Sequence, residues 1–577
     1  YPAPTKDEQK YLRRVIGSIP WMAWMLLVGV FLERGGYYGA VVAYNNFMQF
    51  PMPEGGNGAG APPRGSEKAA GALGKGLNFA TCFVTLNRIM SYTTPIFGAW
   101  LADARLGRMP SIFIGICIGA VGHLVQTVSA LPPVLGSGWG LSVFLSSLVL
   151  IAVGDGMFKP CIIPTLIDQY PRQRAYVEVL ASGERVIVDP EMTIQRIVVF
   201  FYAFTNLGAL LPGATSWAEK YVGFWLAFLI PATFYAVLPV LLAAVWKRAV
   251  RRKPKGSELV DVWHIVATAL RRNRFRVWRP DFWDAAKPSA MVMGETTRDS
   301  GRRRPSPPWT DRLVRETARM FGMCTMFAFF PAYLLNINGI GAIMTSMGAA
   351  MTKRAVPNDN LMVFNPITCV IAAPLLTHVL YPALNRAGLR FGRVHRVAFG
   401  FYLAAAASAA AAFLQWQVYE TSPCGYHASD CGRDPGVSPI SIWAQAPVYV
   451  LYALSELFAW STATELAYAR APPNMRAVVL AILLLNHAVA GIVSEMVSPA
   501  VKDPYLIWVW VGCGGALFAQ TGIFLWKFRW MNEDAFMLDD QHDDEKEGGT
   551  ALPSDQSMRA AVTRVEETRD ENSRKGQ

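Results

Sequence analysis

Twelve apolar runs, each about as long as a bilayer core is thick, limit what this chain can fold into. A helix crosses a bilayer with about 20 apolar residues, and open strands cannot satisfy their backbone polar groups in lipid. Six runs lie near Ile19–Phe50, Gly76–Ala102, Pro110–Leu131, Leu141–Leu166, Ile197–Trp217 and Val222–Trp246. Six more lie near Met320–Thr345, Leu361–Leu384, Val394–Tyr419, Ile442–Tyr468, Met475–Ala500 and Leu506–Trp530. The predicted fold is an all-α polytopic membrane protein with twelve transmembrane helices in two six-helix bundles. Only 17% of residues are charged and 52% are hydrophobic, where a soluble domain carries about a quarter charged residues.

A net charge of +12 would suit a nucleic-acid binder, but the basic residues collect between the apolar runs, as a positive-inside topology requires. The polar stretch 247–319 carries RRKPK, RRNRFR and GRRRP, whereas the turn Leu131–Gly140 carries no charge. Arg105, Arg108, Arg172, Arg174, Arg386, Arg390, Arg393, Arg470 and Arg476 fall on the linker's side when the runs are counted alternately. The sequence therefore divides into a cytoplasmic N-terminal segment (1–18), a first bundle (19–246), a cytoplasmic linker (247–319), a second bundle (320–530) and a disordered cytoplasmic tail (531–577). Both termini are expected inside, in the plasma membrane. In the linker, Ser257 can cap a helix whose Leu259, Val262, Trp263, Val266 and Leu270 recur at helical spacing.

Charges inside apolar runs mark the candidate site. Each costs about 2.5–3.5 kcal/mol at the bilayer centre, so such groups face one another or a polar cavity. Glu33 and Arg34 interrupt the first run, Lys159 lies in the fourth, and Glu456 and Glu465 lie in the tenth. Exposed to lipid together they would cost on the order of 12–18 kcal/mol. Arg34, Tyr37 and Tyr38 stand at i, i+3 and i+4, hence on one helix face. Arg34 can hold both oxygens of a carboxylate, Lys159 adds a second positive charge, and Glu456 can receive an ammonium, so a cavity joining them would grip a zwitterion at both ends. Glu33, Arg34 and Lys159 could also simply neutralise one another. Glu456 and Glu465, nine residues apart, lie about 180° apart around a helix and cannot face one point. Arg88 and Asp155 suit either packing or function, and His123, His378 and His487 read as packing residues.

Six of the eight cysteines stand singly in apolar runs, where a buried free thiol is the expectation and no metal-ligand spacing arises. Cys424 and Cys431 flank a polar segment placed outside, and a disulfide between them is expected. No G-x-S-x-G elbow, phosphate loop or metal cluster occurs in a fitting context, so neither an enzyme nor a cofactor is indicated.

The residues resemble the proton-dependent oligopeptide transporter family of the major facilitator superfamily, in particular its fungal branch, over nearly the whole chain. FLERGGYYG is similar to the family's E-x-x-E-R-F-x-Y-Y-G, and TPIFGAWLADARLGR to its T-P-x-x-G-x-x-x-A-D-x-x-x-G-R. AVGDGMFKPCIIPTLIDQY, SGERVIVDPEMTIQRI, FYAFTNLGALLPG, YVGFWLAFLIPA, VFNPI and QAPVYVLYALSELFAWSTATELAYARAP continue the match in order. The resemblance implies a major facilitator fold working by alternating access, importing di- and tripeptides with protons. It implies that Arg34 and Lys159 receive the peptide carboxylate and Glu456 its amino group. Tyr37, Tyr38 and Asn365 complete the pocket, and Asp103 and Arg108 form a cytoplasmic latch.

The chain departs from the pattern at Val30, where the family has a glutamate, at Gly35 for Phe, at Cys161 for Asn and at Leu334 for Trp. The seventh run contains no carboxylate. Proton coupling then falls to Glu33, Glu456 or Glu465. A second reading is a transporter of the same fold for another small, perhaps anionic, solute or specialised metabolite with weakened or absent coupling. A third is a membrane receptor that binds without transporting.

Overall fold

The structure is a computed structural model that describes residues 4–5, 8–170, 175–180, 183–251, 258–279, 281–295, 309–339, 341–388, 391–429, 437–470 and 476–529. Ten of its helical segments are long and apolar enough to cross a bilayer. The first half holds α1 (Trp21–Gln49), α2 (Gly76–Leu101), α3 (Arg108–Ser129), α4 (Gly140–Asp168), α5 (Pro190–Gly208), its continuation α6 (Pro212–Tyr221), and α7 (Phe224–Val245). After the linker helix α8 (Glu258–Arg272) come α9 (Asp311–Cys324), α10 (Gly341–Ala349), α11 (Phe364–Leu375), α12 (Arg393–Thr421), α13 (Ala446–Arg470), α14 (Arg476–Val497) and α15 (Leu506–Phe528). Helices α2 and α13 are long enough to span but more polar than the ten, and they fill the remaining places among the apolar runs.

Lipid gives no hydrophobic force between helices, so close packing must come from small residues. A Cβ on Gly98 of α2 would lie 2.0 Å from the Gly156 carbonyl oxygen of α4, and one on Gly115 of α3 would lie 2.7 Å from the Gly154 oxygen. These contacts let α2 and α3 press directly on α4. Helix α1 packs on α5 and α7, while in the second half α12 packs on α13 and α15, and α11 on α13. The outward faces keep Phe97, Val240, Trp508 and Trp526 exposed, as lipid-facing helices should. The halves meet along α2 with α14 and α5 with α11.

On the side that carries the α2–α3 and α4–α5 connections the chain makes a small sheet that the apolar runs did not announce. β1 (Arg14–Ile16) runs parallel to β3 (Arg185–Asp189), with Arg14 opposite Ile187, and β2 (Tyr176–Val179) runs antiparallel to it, with Tyr176 opposite Val188. The linker helix forms as its spacing predicts. Val262, Ile265 and Ala269 bury against Phe282, Ala286, Val314 and Met320, with Val266 and Leu270 partly covered. Trp263 turns outward, and Ser257 and the Leu259 side chain lie outside the described residues. Helix α9 begins at Asp311, inside the stretch assigned to the linker, with the Thr310 hydroxyl accepting from the Leu313 amide at 3.3 Å.

Hydrogen bonds between described residues join the halves on the outer side. Gln49 donates to the Ser346 hydroxyl at 2.8 Å, Asn46 and Asn358 exchange bonds of 2.9 Å, and Tyr221 donates to the Ala355 carbonyl at 3.0 Å. Lys220 donates to the Val356 carbonyl at 3.0 Å, and the amide of Lys353 to the Glu67 carboxylate at 2.7 Å. These bonds shut the cleft between the halves on the face opposite the β1–β3 sheet. Cys424, near the outer end of α12, is disulfide-bonded. Cys431 and the tail 531–577 lie outside the described residues.

Candidate functional site

Helical spacing on α1 puts Arg34, Tyr37 and Tyr38 on one face, and the structure keeps them there. The Arg34 guanidinium lies 5.3 Å from the Tyr37 ring centre and 5.9 Å from that of Tyr38, within cation–π range. Lys159 reaches the same face from α4, its ammonium 4.5 Å from the Tyr37 ring centre and 5.3 Å from that of Tyr92 on α2. The Arg34 side chain is 12% exposed and that of Lys159 16%, so both look into the protein rather than into lipid.

Neither cation is free. Arg34 makes a bidentate contact with its neighbour Glu33 and lies 3.9 Å from Asp155, and Lys159 pairs with Asp155 at 2.7 Å. Two carboxylates therefore balance two cations, which is the condition for burying them at all. Asp155, open to either a packing or a functional role from the sequence, is the hub. It stands four residues before Lys159 on α4, so the i, i+4 spacing was a signal for this pair. Tyr235 of α7 is the member that sequence reasoning missed. Its hydroxyl lies 3.2 Å from both Glu33 Oε1 and Asp155 Oδ1. One phenol has one proton to donate, so it serves one carboxylate at a time. Gly36 makes room for it, since a Cβ there would stand 2.4 Å from the Tyr235 ring.

Across the cleft, Glu456 on α13 accepts a 3.0 Å hydrogen bond from the Asn365 amide on α11. Among the described residues no lysine, arginine or histidine lies within ion-pair distance of it. Its other ionisable neighbours among the described residues are the phenols of Tyr38 from α1, Tyr202 from α5 and Tyr333, and the Cys369 thiol of α11. Tyr38 also lies in the field of Arg34 and Lys159, so it stands between the balanced cluster and the solitary acid. The arrangement offers a carboxylate-binding end on α1 and α4 and an ammonium-binding end on α13.

Other sequence-derived candidates lie apart from this centre. Glu465 pairs with Arg393 of α12 at 2.9 Å, both side chains substantially exposed. Arg108 lies 3.9 Å from Asp103 and bonds Asp168 at 3.0 Å, so it meets a second acid that the motif did not name. Burial raises the Asp103 carboxyl above its ordinary value, against the pull of Arg108. Val30 and Cys161 pack in the apolar core of the first half and Leu334 in that of the second. His487 stacks on Tyr92 with ring centres 4.1 Å apart, His123 leans on Tyr235 at 4.2 Å, and His378 bonds Thr377 and the Pro374 carbonyl.

A family model described as the POT family matches residues 110–515. The chain is 45% identical to the MFS-type transporter ucsM of Acremonium sp, over 93% of this chain and 88% of that one. It is 36% identical to the peptide transporter PTR2 of Candida albicans, over 92% of this chain and 86% of that one. The crystal structure of the POT family transporter PepTSo superposes with a TM-score of 0.65 at 18% identity, over 90% of this chain and all of that one. That likeness extends the shared fold to both bundles.

Proposed function

From the premise that this chain belongs to the POT family, we propose that it is a secondary transporter, not an enzyme, that imports di- and tripeptides with protons by alternating access. The observation that carries this reading is the pairing of opposites in one cleft. Among the described residues Glu456 faces the site with only the Asn365 amide as a hydrogen-bond partner, and Arg34 and Lys159 stand beyond Tyr38. A free peptide is a zwitterion in an extended chain, and its two ends need these two chemistries. Arg34 and Lys159 are bound to Glu33 and Asp155 in the empty site, so a substrate carboxylate must displace an internal one. A proton on Glu33 or Asp155 removes that competitor and releases the cation for substrate. Proton uptake and substrate binding then favour each other, which is what coupling requires. Topology follows the basic loops: both termini and the linker inside, the 1–18, 19–246, 247–319, 320–530 and 531–577 divisions as boundaries, and the plasma membrane as location. The Cys424 bond closes onto Cys431 in this reading.

A second reading has its own support. The relative sharing 45% identity carries the name MFS-type transporter, without peptide, and Val30 sits in an apolar core where the family places an acid. A transporter of the same fold for another small solute would fit both. Uptake into proteoliposomes separates the readings. The peptide reading expects labelled dipeptide to accumulate when the outside is acidic and to be competed by unlabelled dipeptide but not by nitrate. Dipeptide uptake no faster than in empty liposomes overturns it.

A further inference from the structure

Outside the substrate site, two carboxyls face each other with no cation between them. Glu219 ends the first half's α6, and Asp359 lies in the second half's outer loop, immediately before the helical turn 360–363 against which α6 packs. Both are 0% exposed, and they lie within hydrogen-bonding range of one another. Glu219 Oε1 accepts from Asn46 of α1 at 2.6 Å, and the same Asn46 exchanges bonds of 2.9 Å with Asn358 of the opposite half. Among the described residues Glu219 Oε2 has no other donor, and the Asp359 carboxyl has only the Ser216 hydroxyl of α6 and its own backbone amide beside it.

The surrounding charges are engaged elsewhere. Lys220 donates to the Val356 carbonyl at 3.0 Å, and the Lys353 ammonium to the Ala349 and Met351 carbonyls at 2.7 and 3.3 Å. Glu67 accepts from the backbone amides of Lys353 and Arg354. The Lys220 charge also acts on Asp359, pulling its carboxyl down against burial, and Tyr449 of α13 lies in the same field. Among the described residues no cation comes within ion-pair distance of either acid.

Two adjoining carboxylates without a cation cannot both stay ionised in a buried site, whereas one shared proton turns their repulsion into a hydrogen bond. We propose that Glu219 and Asp359 are a proton-binding latch at the outer gate, which shuts when one proton bridges the two halves and opens when that proton is lost. Because the acids belong to different halves, opening the outer side separates them, hydrates both and frees them to ionise. Closing reassembles the pair and takes up a proton from outside. This site is distinct from the α1 acids and stands at the interface that alternating access must break.

Burial pushes the Asp359 carboxyl up to about 7 in the closed form, against an ordinary value of about 3.9. The sign follows. Burial raises the Glu219 carboxyl well above its ordinary value too, so closing binds a proton above about pH 4 and falling pH there favours the closed gate by up to ~10-fold per unit. Burial also pulls the Lys353 ammonium down to about 7. That group titrates in the opposite sense and above about 7, so below about 7 the signal of the acid pair stands alone.

The inference rests on alternating access and on no particular substrate, so its test reads distance rather than uptake. Spin labels at S137C and K502C, exposed positions on the outer ends of the two halves, are placed in a background lacking Cys82 and Cys117 and reconstituted in nanodiscs. The parent should show the short separation at pH 5.5 and a growing long-distance population toward pH 8. With E219Q or D359N an amide donates to the remaining acid without a titrating proton, and the gate should stay closed at both pH values. A parent whose distances do not move with pH overturns the latch. So does a pH shift that either variant, purified monodisperse, retains at its parental size.

Discussion

The two halves handle buried charge in opposite ways. The first half gathers Glu33, Arg34, Asp155 and Lys159 into a cluster that neutralises itself and adds the Tyr235 phenol to two of its acids. The second half exposes one carboxylate, Glu456, to a single amide. The difference separates two tasks. Charges in the first cluster tie helices α1, α4 and α7 together, so removing one leaves the others uncompensated. Among the described residues Glu456 has no counter-ion, so its counter-charge has to come from a proton or a ligand. Stability and recognition should therefore respond differently to mutation on the two sides.

The largest effect should come from breaking the balanced side. Asp155→Leu leaves Lys159 and part of Arg34 without a partner, and losing one member of a buried pair costs about 3–5 kcal/mol. Thermal unfolding of the purified variant should fall accordingly, and D155L/K159M should recover most of the loss while remaining inactive in uptake. If D155L melts like the parent, the cluster does not hold the helices together and the comparison fails.

Glu456→Gln should sharpen the contrast. Folded stability should change by less than about 1 kcal/mol, since the Asn365 contact can persist as an amide pair. Recognition should change more, because a hydrogen bond to a charged group contributes about 1.5–3 kcal/mol, or roughly 10–150-fold in affinity. Competition assays with free and N-acetylated dipeptides provide the measurement: the loss belongs to the free-amine peptide. An equal loss for both would assign Glu456 to proton handling or packing.

Tyr235→Phe tests the link between the cluster's acids at intermediate size. The ring and its contact with Gly36 stay, and one hydroxyl donor is lost, which costs about 0.5–1.5 kcal/mol for a neutral bond and more to a carboxylate. Uptake should fall several-fold with the melting temperature lowered by a few degrees. Parental uptake across the whole pH range would remove Tyr235 from the site.

What could be read from the chain follows the reach of local spacing. Arg34, Tyr37 and Tyr38 share a face because a helix repeats every 3.6 residues, and the apolar runs drew helices whose ends fall within a few residues of those observed for α1, α4 and α15. The Asp155–Lys159 pair was equally local, but spacing shows only that the two can touch, not that Asp155 also meets Arg34. Tyr235 arrives from α7, and no pattern near it marks a phenol aimed at two acids. Glu219 and Asp359 belong to different halves, so only the closed gate brings them together. The β1–β3 pairing likewise joins the start of the chain to the segment before α5, a contact between strands too short to stand out beside membrane helices.

The smallest effect should belong to Glu465, which the sequence left as a candidate for carrying the proton. In the structure it pairs with Arg393 at 2.9 Å at one end of the bundle, with the two side chains 48% and 33% exposed. At that exposure the pair lies apart from the acids buried between the helices. An exposed pair of this kind contributes about 0.2–1 kcal/mol. Glu465→Gln should therefore lower uptake by no more than about fivefold, leave the pH at half-maximal uptake unchanged, and lose even that effect at 1 M salt, where the Debye length is about 3 Å. A displaced pH profile would restore Glu465 to the coupling path and would mean that the Arg393 pair opens during transport. An unchanged profile confines coupling to the acids buried between helices.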